Sequence, residues 1–302
     1  MKRLFSLSPE IKSALAANRP VIALESTVIA HGLPRPQNLE TAQRLEQIAR
    51  EQGVIPATIA VLDGKICVGL GEHQVEGIAN SDDVRKLSTR DLAVAVTRGG
   101  NGATTVAATI WIAQRAGIQV FATGGIGGVH RGSLPDVSAD LPELACTPMI
   151  VVCSGAKIVL DLLATREWLE THSITVAGYG CDDMPAFYSQ RSGLPVDVRC
   201  DSPGDVLRLF KTQRELGIES ALLVTVPVPA EAEVSLDVLS AILDESLAEA
   251  EKAHIRGRDV TPFLLASMSE RSEDATLRAN IALLENNARV AAQIAQELAG
   301  QS

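Results

Sequence analysis

Short β-branched or apolar runs alternate along the chain with longer stretches in which apolar residues recur at helical spacing. That alternation is the mark of a sheet with helices packed on both faces, and it predicts an α/β fold. The predicted strands are Val21–Leu24, Thr58–Leu62, Leu92–Val96, Val120–Thr123, Met149–Cys153, Ile174–Gly178 and Ala221–Val226. Most have Gly, Pro, Ser or Asn near at least one end. The predicted helices are Gln37–Gln52, Thr104–Ala116, Lys157–Thr171, Gly204–Glu215, Ser235–Ala253 and Ala275–Ala299. In the last, Leu277, Ile281, Leu284, Ala288, Ala291 and Leu298 form one apolar face. No repeat or Gly/Pro/Ser-rich linker divides the chain, and Pro227–Val234 reads as a loop inside one domain spanning 1–302.

Composition narrows the class. Hydrophobic residues make up 46% and aromatics only 3%, so the core is expected to be aliphatic. The 27 basic residues against 37 acidic ones give a net charge of −10, with the two signs interspersed, which disfavours a nucleic-acid partner. An anionic substrate would need a local cluster of cations and backbone N–H groups. Five cysteines without a CxxC pair point to a reducing compartment. The first residues lack the apolar core of a secretion signal, and no run approaches ~20 apolar residues, so a cytoplasmic protein without a membrane partner is expected.

Four stretches carry candidate chemistry. Glu25 stands where the first predicted strand stops, before a turn containing His31, Gly32, Pro34 and Pro36. Ligands of α/β sheets bind at such strand ends, so Glu25 is either a general acid or base or a carboxylate serving the turn itself. The Gly-rich stretch 122–132 follows another strand; its glycines could turn N–H groups toward an anion or simply make a turn. His130 occupies the place of the third Gly of a dinucleotide fingerprint, which weakens a dehydrogenase reading. His130 and Arg131 favour a polar pocket instead.

Asp136, Ser138 and Asp140 alternate with apolar residues. If extended they share one side, where they could bind a hard divalent cation or stand as solvated loop residues. Lys157 follows the strand Met149–Cys153 through Ser154-Gly155-Ala156, with apolar neighbours on both sides. It is either a solvated lysine or an amine whose apolar setting lets it attack an aldehyde. Asn280 and Asn287 lie beside the apolar face of the last helix, as core amides or, for Asn287, as a group reaching the site.

Six motifs in order, Ala-Leu-Glu-Ser-Thr-Val-Ile-Ala-His-Gly (23–32), Lys-Leu-Ser-Thr-Arg-Asp-Leu (86–92), Asn-Gly-Ala-Thr-Thr-Val-Ala (101–107), the Gly-rich 122–132, Asp-Val-Ser-Ala-Asp-Leu (136–141) and Gly-Ala-Lys (155–157), resemble the pseudouridine-5'-phosphate glycosidase family, also called indigoidine synthase A-like. Thr-Pro-Phe-Leu-Leu (261–265) and Asn-Asn-Ala (286–288) extend the match over nearly the whole chain. The resemblance implies a three-layer α/β/α fold with a central mixed sheet, a homotrimer, and Mn2+ dependence. It makes Glu25 the proton donor, Lys157 the covalent nucleophile, and Asp136 the metal ligand. It also makes Lys86, Val106, Ser138, Ala139 and Asp140 substrate contacts, to which His130 and Asn287 are added as candidates. The implied reaction cleaves or makes the C–C glycosidic bond of pseudouridine 5'-phosphate, with uracil and ribose 5-phosphate as the other partners. The sequence departs from the family around Gly132-Ser133-Leu134-Pro135, where members often carry a longer segment. A Schiff-base aldolase for another sugar phosphate and a non-catalytic sugar-phosphate sensor are the competing readings.

Overall fold

The computed structural model describes residues 4–132, 136–255 and 260–300. An eleven-stranded sheet forms the centre. Its main path runs Phe5–Leu7, Lys65–Val68, Ile55–Leu62, Val21–Glu25, Val120–Ala122, Ile150–Cys153, Leu222–Thr225, Thr175–Tyr179, Val198–Cys200. From Val21–Glu25 to Val198–Cys200 every pairing is parallel, whereas Ile55–Leu62 pairs antiparallel with Lys65–Val68 and with Gly102–Thr104. The sheet is therefore mixed and mostly parallel, as expected. Its central strands are buried throughout, which explains why they read as unbroken apolar runs rather than alternating ones.

Right-handed crossovers decide where the helices go. The helix Gln37–Glu51 connects Val21–Glu25 to the neighbouring Ile55–Leu62, and packs beside Ala275–Gly300, which in turn meets Pro203–Glu215. The connections from Val120–Ala122 to Ile150–Cys153 and on to Thr175–Tyr179 run the other way across the sheet, so Asp140–Cys146 and Leu162–Thr171 cover the opposite face with Val106–Ala116. The direction reverses between Val21–Glu25 and Val120–Ala122. In an open α/β sheet, the crevice outside the carboxyl ends of the strands at such a reversal is where ligands bind.

Two predicted elements are corrected. Leu92–Val96 is not a strand but part of the helix Leu92–Arg98, ended by Gly99 at φ +67°. Its β-branched valines gave it a strand-like run, yet Leu92 and Ala95 are buried at helical spacing while Val94 is 41% exposed. Nor does a helix begin at Lys157. The chain first makes a turn and a two-residue strand, Leu160–Asp161, and the helix starts at Leu162 because the Asp161 carboxylate caps it, accepting from Ala164 N at 2.9 Å. The structure adds helices over Pro9–Ala16, Glu72–Asn80, Asp140–Cys146 and Val260–Arg271, together with the short strands at the Phe5–Leu7 edge of the sheet and Val198–Cys200 at the other. No helix among the described residues is long and apolar enough to cross a membrane.

Candidate active site

Glu25, Thr123 and Ser154 end three adjacent parallel strands, and so meet at one edge of the sheet at the reversal point. Beneath Glu25 a buried hydroxyl network holds the strand end. Ser26 Oγ and Thr104 Oγ1 each donate to the Ile59 carbonyl at 2.7 Å, and Thr104 N donates to Ser26 Oγ at 2.9 Å. Glu25 itself is 7% exposed and accepts from Thr123 Oγ1 across the crevice. Burial raises its pKa above the ordinary carboxylate value; the charges of Lys157 and Lys86 and the Thr123 hydrogen bond oppose that rise without cancelling it, and Asp140 reinforces it. A carboxyl held this way can keep a proton to give to a leaving group.

Lys157 is carried by the turn after Ile150–Cys153. Its backbone N donates to Ile126 O at 3.1 Å, and Ile126 N donates to Gly155 O at 3.0 Å, so the Gly-rich stretch and the lysine turn are stitched together. The half-buried Lys157 side chain lines the same cleft as Glu25 and Lys86. Cys153, four residues before it, is fully buried with its thiol pushed up to about 12, so it stays protonated and offers no rival nucleophile.

The cleft has two lobes joined at a waist. Glu25, Thr27, Lys86, Lys157 and Thr261 line both. The inner lobe adds mostly apolar surface from Val28, Phe187, Pro262 and Leu265, with His31, Thr123 and Asn280 as polar points. The outer lobe, of about 330 Å³, adds Ser88, Arg90, Val106, His130, Asp136, Ser138, Ala139 and Asp140. That volume is at the lower end of small-ligand sites. Every expected site residue except Asn287 therefore lies on this one cleft. Asn287, open between a core amide and a group reaching the site, is 0% exposed and lines neither lobe. Its Nδ2 donates to Thr123 O at 2.8 Å and Ser154 Oγ at 3.1 Å, tying the last helix to the two strand ends under the site.

Two further readings change. Asp140 begins the helix Asp140–Cys146 instead of continuing an extended segment, and both its oxygens are spent on backbone amides, Ala107 N at 2.9 Å and Gly127 N at 2.8 Å. The Gly-rich stretch is glycine-rich for packing more than for anion binding. A Cβ on Gly127 would sit 2.2 Å from Ser138 Oγ, and one on Gly125 would sit 2.7 Å from the Phe187 ring. Arg131 turns to Leu160 O at 3.1 Å and lines neither lobe.

Asp136 is exposed at the outer lobe, and among the described residues no three His, Cys, Asp or Glu side chains gather to hold a metal. One carboxylate fits a hard divalent cation that keeps most of its waters, not a closed protein cage. Residues 133–135, in the stretch that departs from the family pattern, lie outside the described residues. Thr27, Arg90, Thr123, Phe187, Pro262 and Leu265 were missed as site residues. Thr27 and Thr123 stand within two residues of a strand end, a signal that could have found them, whereas Phe187 and Leu265 are apolar residues with nothing local to separate them from core.

The family profile described as Indigoidine synthase A like protein matches residues 10–297. The chain belongs to this family. Among its relatives in the indigoidine synthase A-like family, the pseudouridine-5'-phosphate glycosidase of Caldanaerobacter subterraneus subsp. tengcongensis is 48% identical over 300 residues, covering 99% of this chain and 98% of that one. The pseudouridine-5'-phosphate glycosidase of Herpetosiphon aurantiacus is 51% identical over 294 residues, covering 97% of each. The solved indigoidine synthase A-like protein of Thermotoga maritima superposes with a TM-score of 0.91 at 38% identity over 98% of this chain and 97% of that one. The prealnumycin C-glycosynthase AlnA, solved in complex with ribulose 5-phosphate, superposes with a TM-score of 0.91 at 38% identity over 99% and 98%.

Proposed function

We propose that this protein is a pseudouridine-5'-phosphate glycosidase that reversibly converts pseudouridine 5'-phosphate and water to uracil and ribose 5-phosphate through a Schiff base on Lys157. The observation that carries this reading is the meeting of Glu25, Lys86 and Lys157 at the waist of one cleft, although 132 positions separate the first from the last. A C-nucleoside has no nitrogen leaving group, so the carbon–carbon bond needs an electron sink. Lys157 supplies it. Its amine bonds to C1' as the C1'–O4' bond breaks, and Glu25, which holds its proton above the usual carboxylate range, delivers that proton to O4'. The Glu25 carboxylate then takes the proton that the alkylated Lys157 nitrogen sheds, and the C1'–C5 bond breaks, the nitrogen lone pair forming the iminium while Glu25 returns that proton to uracil C5. Water hydrolyses the iminium, releasing ribose 5-phosphate and restoring the amine.

The lobes divide the substrate. A flat base suits the apolar inner lobe, and a sugar phosphate suits the polar outer one, where Lys86 and Arg90 supply positive charge toward the phosphate. Asp136 would hold manganese largely through water, and the bound ion would supply charge neutralisation and ordered water beside the sugar phosphate. The family resemblance carries an expectation of a homotrimer, which light scattering reads directly.

The test incubates the purified protein with manganese and pseudouridine 5'-phosphate and measures uracil release. A parallel incubation with ribose 5-phosphate and borohydride is followed by peptide mass spectrometry. Uracil release together with a reduced adduct on Lys157 supports the reading. Uracil release without the adduct removes the Schiff base and leaves an oxocarbenium route using Glu25.

A further inference from the structure

One buried hydroxyl at the waist has no hydrogen-bond partner among the described residues. Thr27 lines both lobes, and its Oγ1 is buried without a hydrogen bond. The residue stands at the N-cap of the π-helical turn Val28–Gly32, yet its side chain makes no capping bond. A Thr in that place ordinarily spends its hydroxyl on the first free N–H groups of the helix. Three nearby hydroxyls are in use: Ser26 and Thr104 donate to Ile59 O, and Thr123 donates to Glu25. A buried hydroxyl left unpaired is costly, and it calls for a partner that the free protein does not contain.

The position of Thr27 says what that partner is. Of the five residues shared by the lobes, Lys157 and Glu25 carry the bond-breaking chemistry and Lys86 faces the anion, which leaves Thr27 and Thr261 as the neutral groups beside the reacting carbon. We propose that Thr27 Oγ1 hydrogen-bonds an oxygen of the substrate's ribose and so positions C1' between Lys157 and Glu25. This deepens the proposed function and rests on it. Thr27 is a sugar-binding and positioning residue that neither donates the proton nor forms the covalent bond.

Thr27→Val keeps the shape and removes the hydroxyl; Thr27→Ser keeps the hydroxyl. In Thr27→Val, kcat/KM for pseudouridine 5'-phosphate is expected to fall about 10- to 100-fold, whereas Thr27→Ser stays within about 3-fold of the parent. The melting temperature of ligand-free Thr27→Val should equal or exceed that of the parent, because the lost oxygen had no partner, while the stabilisation by added ribose 5-phosphate should shrink. Unchanged kcat/KM in Thr27→Val, equal damage in both variants, or a lower melting temperature of ligand-free Thr27→Val would each overturn the assignment. Borohydride trapping with ribose 5-phosphate separates this inference from the reading beneath it. An adduct formed as fast in Thr27→Val as in the parent removes Thr27 and leaves the Schiff base standing, whereas no adduct in the parent overturns both.

Discussion

On one side of the waist, Val28, Phe187, Pro262 and Leu265 present apolar surface; on the other, Ser88, Arg90, His130 and Asp136 present charge and hydrogen-bonding groups. The two buried carboxylates near the waist differ in the same sense. Glu25 has one hydrogen-bond partner among the described residues, the Thr123 hydroxyl, and burial raises its pKa. Asp140, equally hidden at 6% exposure, accepts from two backbone amides, Ala107 N and Gly127 N. Burial alone does not make a carboxyl reactive. The donors differ as well: the carboxylate that braces the Gly-rich stretch accepts from two amides, and the one beside the lysine from a single hydroxyl.

The largest expected effect falls at the waist. Lys157→Ala should lower uracil release on the order of 10⁴-fold or more and abolish the borohydride adduct at that position, since it removes the electron sink for the carbon–carbon bond. Next, Glu25→Gln should lower kcat by roughly 10²- to 10⁴-fold, the range of a lost general acid. The same variant tests the dry side of the comparison by its stability. In the unfolded chain Glu25 ionises near 4.5, whereas in the fold it keeps its proton to higher pH. Between those two values the folded state binds more protons, so the parent loses stability as pH rises and then levels off. Urea denaturation from pH 4 to pH 8 should therefore show Glu25→Gln gaining on the parent as pH increases, and a gap that does not grow would mean the carboxyl is not destabilised by burial.

Lys86→Ala tests the wet side, with a smaller expected effect of about 10- to 100-fold in KM for the phosphorylated substrate, the worth of one charge-assisted hydrogen bond. An equal loss with unphosphorylated pseudouridine would show that Lys86 does not read the phosphate. Asn287→Ala touches neither lobe and leaves Thr123 O and Ser154 Oγ without its amide. It should lower unfolding stability by about 1–3 kcal/mol in urea titration, with kcat affected less than in either waist variant.

Much of the layer order was legible beforehand because buried parallel strands and amphipathic helices leave strong local patterns. Val21–Glu25, Ile150–Cys153 and Ala275–Gly300 were found within one residue at each end. The failures came where a local pattern serves two structures. The valines of Leu92–Arg98 suit a strand until Asp91, Gly99 and the burial of Leu92 and Ala95 are considered together, and the run after Lys157 looks helical until the Asp161 cap delays the helix. At the site, Glu25, Asp136 and Lys157 stood out because charged residues interrupt apolar or glycine-rich surroundings, whereas Lys86, which follows Asp83 and Arg85, was reached only through the family resemblance. Phe187 and Leu265 were not, because an apolar residue in a cleft has the same local signature as one in the core.

The sequence by itself determined the alternation of strand and helix, the family, and the residues able to carry acid, amine and phosphate chemistry, since these depend on side-chain type and local order. Only the tertiary structure decided that Glu25 and Lys157 share a waist, that Asp140 is held by amides and Asn287 is a strut beneath the site, and that Thr27 keeps a buried hydroxyl unpaired. Those are matters of burial and partner geometry between distant stretches of chain. They exist only once the parallel strands bring their carboxyl ends to one edge, and the reversal of the crossovers opens the crevice between them.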